Sequence, residues 1–263
     1  MSPHASTAHR RQNVRRALLI VSFLLFPVTF YYLSPYLIIM GAGERTASGS
    51  MVVFGVMTLT ALVLGRLFCG WVCPAGGLGE ALFTVENGRA NNRLNWTRWL
   101  VWVPWMAVVA LVTLKAGGLR RVDVFYQTDH GVSLTTAGGM SPYIIFYAVL
   151  ALLFVLSLTA GKRGFCHHAC WMAPFMMIGR ALRNVLHLPA VQLRADTPAC
   201  VACRACTAAC PMSLDVQTMV LSQRMENSEC VLCGTCIDVC PHSVIRYDFG
   251  KPGFADPSQP EKP

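Results

Sequence analysis

The 263-residue chain is 54% hydrophobic with a mean hydropathy of +0.46, and only 13% of its residues are charged, against about 25% in soluble domains. Twenty-two Lys and Arg against thirteen Asp and Glu leave a formal charge of +9. So few charges exclude a disordered chain and an ordinary soluble enzyme. Twelve tightly clustered cysteines in so long and apolar a chain exclude a secreted disulfide scaffold.

A bilayer core about 30 Å thick takes roughly 20 apolar residues in a helix. Residues 17–43 predict a first span, kinked at Pro27 and Pro35, and residues 46–65 predict a second. Residues 99–114 predict a third, with the ammonium of Lys115 reaching the interface and the outer members of Trp96, Trp99, Trp102 and Trp105 forming an aromatic belt. Residues 131–161 predict a fourth, strongest over 143–158. The apolar stretch 165–179 is short and holds His167 and His168, so it reads as an interfacial or re-entrant helix rather than a fifth span.

Basic residues near the spans set orientation. Arg10, Arg11, Arg15 and Arg16 precede the first span; Arg89, Arg93 and Arg98 follow the second; Lys162, Arg163, Arg180 and Arg183 follow the fourth. Both termini are therefore expected in the cytoplasm, and the net charge needs no nucleic-acid partner. The expected organisation is a basic amino terminus at 1–16, a membrane domain at 17–185, a two-cluster ferredoxin domain at 186–250 and a flexible tail at 251–263. The fold class is mainly α, four transmembrane helices followed by a small α+β domain, placed in a bacterial-type cytoplasmic (inner) membrane.

After Pro198 the composition changes. Cys200-Val-Ala-Cys203-Arg-Ala-Cys206-Thr-Ala-Ala-Cys210-Pro211 is repeated thirty residues on as Cys230-Val-Leu-Cys233-Gly-Thr-Cys236-Ile-Asp-Val-Cys240-Pro241. In two-cluster ferredoxins the fourth cysteine of such a run ligates the other cluster. The expected ligand sets are Cys200, Cys203, Cys206 and Cys240 for one 4Fe–4S cluster, and Cys230, Cys233, Cys236 and Cys210 for the other. Zinc sites commonly use separated cysteine pairs and do not need two identical four-cysteine runs.

A second repeat lies upstream. Arg66-Leu-Phe68-Cys69-Gly-Trp-Val-Cys73 and Arg163-Gly-Phe165-Cys166-His-His-Ala-Cys170 both read R-x-F-C-x3-C, shifted by 97 positions. If each C-x3-C is helical, its thiols share one face. Cys69, Cys73, Cys166 and Cys170 are then candidates for one shared metal or iron–sulfur site near the membrane surface, with Arg66 and Arg163 offsetting its charge. Redox thiols and plain packing are the alternatives. His167 and His168 are read as interfacial polar residues, a ligand or a proton acceptor near quinone, and Met172, Met176 and Met177 as packing.

The whole pattern resembles the NapH/NosR-type membrane polyferredoxins, which share four membrane helices, two C-x3-C motifs and a carboxy-terminal pair of 4Fe–4S motifs. Their membrane motifs typically end in C-P; Cys73-Pro74 follows this, whereas Cys170 is followed by Trp171-Met-Ala-Pro174. The resemblance implies an electron-transfer subunit working between the quinone pool or a membrane partner and another redox subunit. A maturation protein that reduces or loads a metal centre in another enzyme is the alternative. No Walker loop, dinucleotide fingerprint or nucleophile elbow supports a self-contained enzyme, so no catalytic residue is assigned. The apolar stretches hold no histidine in their helical cores, which argues for electron transfer along the cytoplasmic side rather than through a transmembrane di-haem path.

Overall fold

The computed structural model describes residues 3–251 and is mostly helical. The carboxy-terminal tail expected at 251–263 lies outside the described residues beyond Lys251. Helix α1 (Pro3–Leu24) starts inside the basic segment and runs into the first apolar stretch, so that segment is not a separate unit. The chain then bends by 61° between 10–24 and 26–33, where Pro27 sits in the first turn of α2 (Phe26–Thr29). Its ring fixes φ and leaves no N–H to continue the preceding helix. Pro35 opens α3 (Pro35–Gly43) after the extended Ser34. The kinks expected at Pro27 and Pro35 thus become breaks.

The four-span expectation is correspondingly reduced. Among the described residues, two helices are long and apolar enough to cross a membrane, Asn92–Ala116 and Ser141–Thr159, or three if the bent pair is one span. Helix α4 (Gly49–Leu64) has 16 residues, about 24 Å at the helical rise, which is shorter than a hydrocarbon core. Leu111 and Leu114 on α7 (Thr97–Ala116) and Ile144 and Tyr147 on α8 (Ser141–Thr159) face outward, as lipid-facing positions would. Trp105 instead turns inward, against Phe54 and Phe175, and donates to the Pro35 carbonyl.

The 97-residue repeat has structural meaning. Helix α4 leads into α5 (Leu67–Trp71) and α6 (Pro74–Ala81), and α8 leads into α9 (Gly164–His168) and α10 (Ala173–Val185). The stretch expected to be interfacial is therefore the pair α9 and α10. Gly179 lets α10 press onto α4: a Cβ there would lie 2.4 Å from the Thr58 carbonyl oxygen. A parallel strand pair, β1 (Thr46–Ser48) on β2 (Arg121–Asp123), ties two loops together.

The tail is built on an antiparallel ladder between β3 (Ala190–Ala195) and β4 (Ile245–Gly250). Between them lie α11 (Ala205–Ala209), α12 (Val216–Leu221) and α13 (Thr235–Asp238). The thirty-residue repeat is visible in the backbone: Ala202 and Leu232, Arg204 and Gly234, and Ser213 and Ser243 all adopt positive φ. These left-handed positions, costly outside glycine, fall between the first three cysteines of each run and just after the fourth, at matching places in both copies.

Candidate metal centres

In the tail, the two copies of the cysteine run close around two separate cavities. One, with about 370 Å³ of empty space, is lined by Cys200, Cys203, Cys206 and Cys240. The other, about 410 Å³, is lined by Cys210, Cys230, Cys233 and Cys236. Each combines three cysteines of one run with the fourth of the other, the crossed pairing expected from the spacing. Val220, Val244 and Ile245 wall the first; Leu193, Met212, Val216 and Val231 wall the second. Such apolar walls keep water from thiolate-bound iron. Burial pushes the Cys210 thiol up to about 12 and also raises Cys206, Cys230 and Cys236. A 4Fe–4S cluster held here would take these thiols as thiolates, with release of their protons.

The upstream cysteines also converge. Cys69 and Cys166 are buried on short helices, and each takes the backbone carbonyl of the repeat arginine three residues before it: Cys69 N–H to Arg66 O at 3.0 Å, Cys166 N–H to Arg163 O at 2.8 Å. The second cysteine leaves the helix in both copies. Cys73 and Cys170 donate their N–H groups to the carbonyls of Phe68 and Phe165, each at 3.0 Å, and Cys73 is already extended. Thiols at i and i+4 on one continuous helical face are therefore not what the chain forms; the turn itself swings the second thiol. All four thiols nevertheless lie within electrostatic reach of one another, and burial followed by mutual repulsion raises Cys73 and pushes Cys170 up to about 12. Buried, protonated thiols are poor nucleophiles, which disfavours dithiol exchange.

The charges around them are matched to an anion. Arg66 and Arg163 are fully buried, as is Arg98. Arg163 Nη2 is 2.5 Å from Glu80 and its Nη1 donates to the Cys69 carbonyl at 2.8 Å, so the arginine of one repeat holds the cysteine backbone of the other. Glu80 also binds Arg15 at 2.6 Å; burial alone would raise its pKa, but Arg163 and Arg15 outweigh it and leave it lowered. Glu229 is shared by Arg66 at 3.0 Å and Arg98 at 2.9 Å. Four arginines against two carboxylates leave two positive charges, the complement of four thiolates on a doubly charged iron–sulfur core. Arg66 Nε and Nη2 and Arg163 Nε, all close to the four thiols, are buried donors without a hydrogen-bond partner among the described residues. Unpaired buried donors are costly, so their concentration here fits a missing anionic group. Among the described residues no three His, Cys, Asp or Glu side chains are grouped closely enough to hold a single metal ion.

His167 is fully buried, its Nδ1 2.8 Å from Asn95 Oδ1 and its Nε2 without a partner. Burial and the neighbouring arginines push its pKa down to about 3, so it is a neutral imidazole rather than an interfacial polar residue. His168 is half-buried, facing the Leu94 carbonyl. Met176 packs its sulfur 3.8 Å from Cys69 Sγ, while Met172 is buried in the core and Met177 meets Arg98. Glu80, Glu229, Asn95 and Arg98 were not picked out from the sequence as parts of this site. With only thirteen acidic residues in the chain, an acid directly before a cysteine run, as Glu229 is before Cys230, was the available signal.

Comparison with known proteins agrees with this partition. A family profile described as a 4Fe-4S binding domain matches residues 47–89 and 143–189, one match over each C-x3-C motif. A second, a 4Fe-4S dicluster domain, matches residues 192–242. Two proteins of Methanocaldococcus jannaschii, both described as uncharacterized, are similar to the chain. One is 26% identical over 194 residues, covering 72% of this chain and 69% of the relative. The other is 25% identical over 174 residues, covering 61% and 65%, slightly less than two thirds of that relative's length. No solved structure matches. The two profiles support 4Fe–4S ferredoxin-type domains in this chain and, with them, a role in electron transfer.

Proposed function

We propose that this chain is a membrane-bound electron-transfer subunit carrying two 4Fe–4S clusters in its tail and a third iron–sulfur centre between the two C-x3-C motifs. The observation that carries the proposal is the pair of cavities, each lined by four cysteines drawn from both runs. Cys200, Cys203, Cys206 and Cys240 would hold one cluster; Cys210, Cys230, Cys233 and Cys236 the other. Cys69, Cys73, Cys166 and Cys170 would hold the third centre. A bound 4Fe–4S cluster supplies reversible one-electron chemistry.

The chain's own residues do the rest. Apolar walls exclude water from the cages, and the arginine–glutamate pairs fix the backbone of the C-x3-C turns and balance charge. The outward apolar faces of α7 and α8 support a lipid-bilayer location, with the tail on the cytoplasmic side. The quinone pool or a membrane partner at one end and another redox subunit at the other complete the proposed relay. Anaerobic purification with iron and sulfide analysis tests the centres, and quinol-dependent reduction in membrane vesicles tests the relay. Full iron content without reduction by quinol would leave a ferredoxin but remove the quinone connection.

A further inference from the structure

The two tail cages sit in different surroundings. The loop that carries Cys230 and Cys233 is pressed onto the first C-x3-C motif. At Gly70, between Cys69 and Cys73, an added Cβ would lie 2.2 Å from the Val231 carbonyl oxygen. The neighbouring Trp71 Nε1 donates to the Leu232 carbonyl at 3.1 Å. Arg66 Nη1 binds the Ser228 carbonyl at 3.0 Å, and Arg180 Nη1 binds the Cys230 carbonyl at 3.0 Å. Gln12 of α1 reaches the Cys233 carbonyl at 3.2 Å.

The cysteine that the first run contributes to that cage, Cys210, is held from the same side. Arg89 and Asn92 donate to the Ser213 carbonyl at 2.8 and 2.9 Å, and Lys162 Nζ donates to the Ala208 carbonyl at 3.0 Å. Arg163 lies within electrostatic reach of Cys73 and Cys166 in one cage and of Cys233 in the other. A single buried guanidinium thus serves both.

Among the described residues, the loops of the cage of Cys200, Cys203, Cys206 and Cys240 are held by bonds within the tail: Thr197 to the Val220 carbonyl, Arg204 to Gln217, and the Val244 N–H to Cys240 Sγ. Residues Val201, Ala202, Cys203 and Arg204 are exposed, as are Pro241 and His242 on the facing loop.

We infer that the cage of Cys210, Cys230, Cys233 and Cys236 is the inner one, adjoining the C-x3-C site, and that the cage of Cys200, Cys203, Cys206 and Cys240 is the outer one, whose open edge at 201–204 exchanges single electrons with a one-electron carrier, the redox partner of the relay. This rests on the reading that both cages hold 4Fe–4S clusters. Each exchange moves one electron: the carrier is oxidised as the chain is reduced, or the reverse, and no bond or proton is transferred. The covered inner cage has no comparable edge for such a partner, because its loops are already seated on α1, α5 and α10.

The test uses the complete, anaerobically purified chain reduced with dithionite and read by EPR with and without a soluble dysprosium chelate, a paramagnetic relaxer that acts through solvent. Signals are assigned with Cys203→Ser for the outer cage and Cys233→Ser for the inner, or with Cys200→Ser and Cys236→Ser where the first pair does not accumulate. The chelate is expected to enhance relaxation of the outer signal severalfold more than that of the inner. Equal or reversed enhancement in the unsubstituted chain overturns the inner and outer assignment. Iron and sulfide analysis of the same preparation reads the cluster reading separately: with fewer than two cubanes in the tail that reading fails, whereas two cubanes with equal relaxation remove only the order.

Discussion

Removing the Glu226 carboxylate should loosen the seat of the second cysteine loop. Arg180 contacts Glu226 through Nε at 2.5 Å and Nη2 at 2.7 Å, Arg183 adds an ion pair at 3.0 Å, and Asn184 donates at 3.1 Å. All three lie on α10, whereas Glu226 lies four residues before Cys230, so the group clamps the tail to the helical half. Burial alone would raise the Glu226 pKa, but the arginine contacts win and hold it at about 2, below the ordinary 4.5. That difference corresponds to about 3 kcal/mol of stability, at the lower end of the roughly 3–5 kcal/mol lost when one partner of a buried pair is removed. Because the folded pKa is depressed, the contribution is complete above the ordinary carboxylate range and fades as pH falls toward 2.

The assay is equilibrium denaturation of the detergent-solubilised chain, followed by far-UV circular dichroism, for wild type and Glu226→Gln. The expected difference is about 3 kcal/mol at neutral pH and less than half of that near pH 3. A difference that does not change with pH, or one below about 1 kcal/mol as at exposed ion pairs, would refute the reasoning.

Gly70→Val should force Val231 away from α5, costing about 1–3 kcal/mol as overpacking does and making the 186–190 connection easier for protease to cut; unchanged cleavage would contradict the contact. Glu229→Gln leaves Arg66 and Arg98 buried without their carboxylate, so a loss of about 3–5 kcal/mol is expected, together with less iron at the C-x3-C site; retained stability would mean that the ion pairs are not needed. A fusion reporter active only outside the cytoplasm should stay silent after Ile245 and become active within 117–141, and reversed signals would overturn the proposed orientation.

Local periodicity was the readable part of this molecule. The thirty-residue and 97-residue repeats are visible in residue spacing because each encodes one backbone turn, and both turns recur in the structure with matching hydrogen bonds. The grouping of the cysteines around two tail cavities follows the same spacing. Helix length was less legible: Pro27 and Pro35 mark kinks in the sequence but not that the helix ends there, and nothing local reports that α4 stops after 16 residues at Gly65 with positive φ. The basic residues before the first span were read only as orientation signals. Arg11 pairs with Asp238, and Arg15 is buried on Glu80; these partners lie hundreds or tens of residues away in sequence, beyond any local pattern. The lowered pKa of His167 likewise follows from its burial and from Arg98 and Arg66, which only tertiary packing brings around it.

The crossed pairing of the two cysteine runs is tested most directly by Cys210→Ser, analysed anaerobically by iron content and EPR beside the parent chain. Cys210 belongs to the first run by sequence but lines the cavity of Cys230, Cys233 and Cys236. The account predicts that its loss damages the cluster also damaged by Cys233→Ser and spares the one damaged by Cys203→Ser. Damage confined to the Cys203-dependent cluster would show that each run closes on its own centre, and would contradict the account.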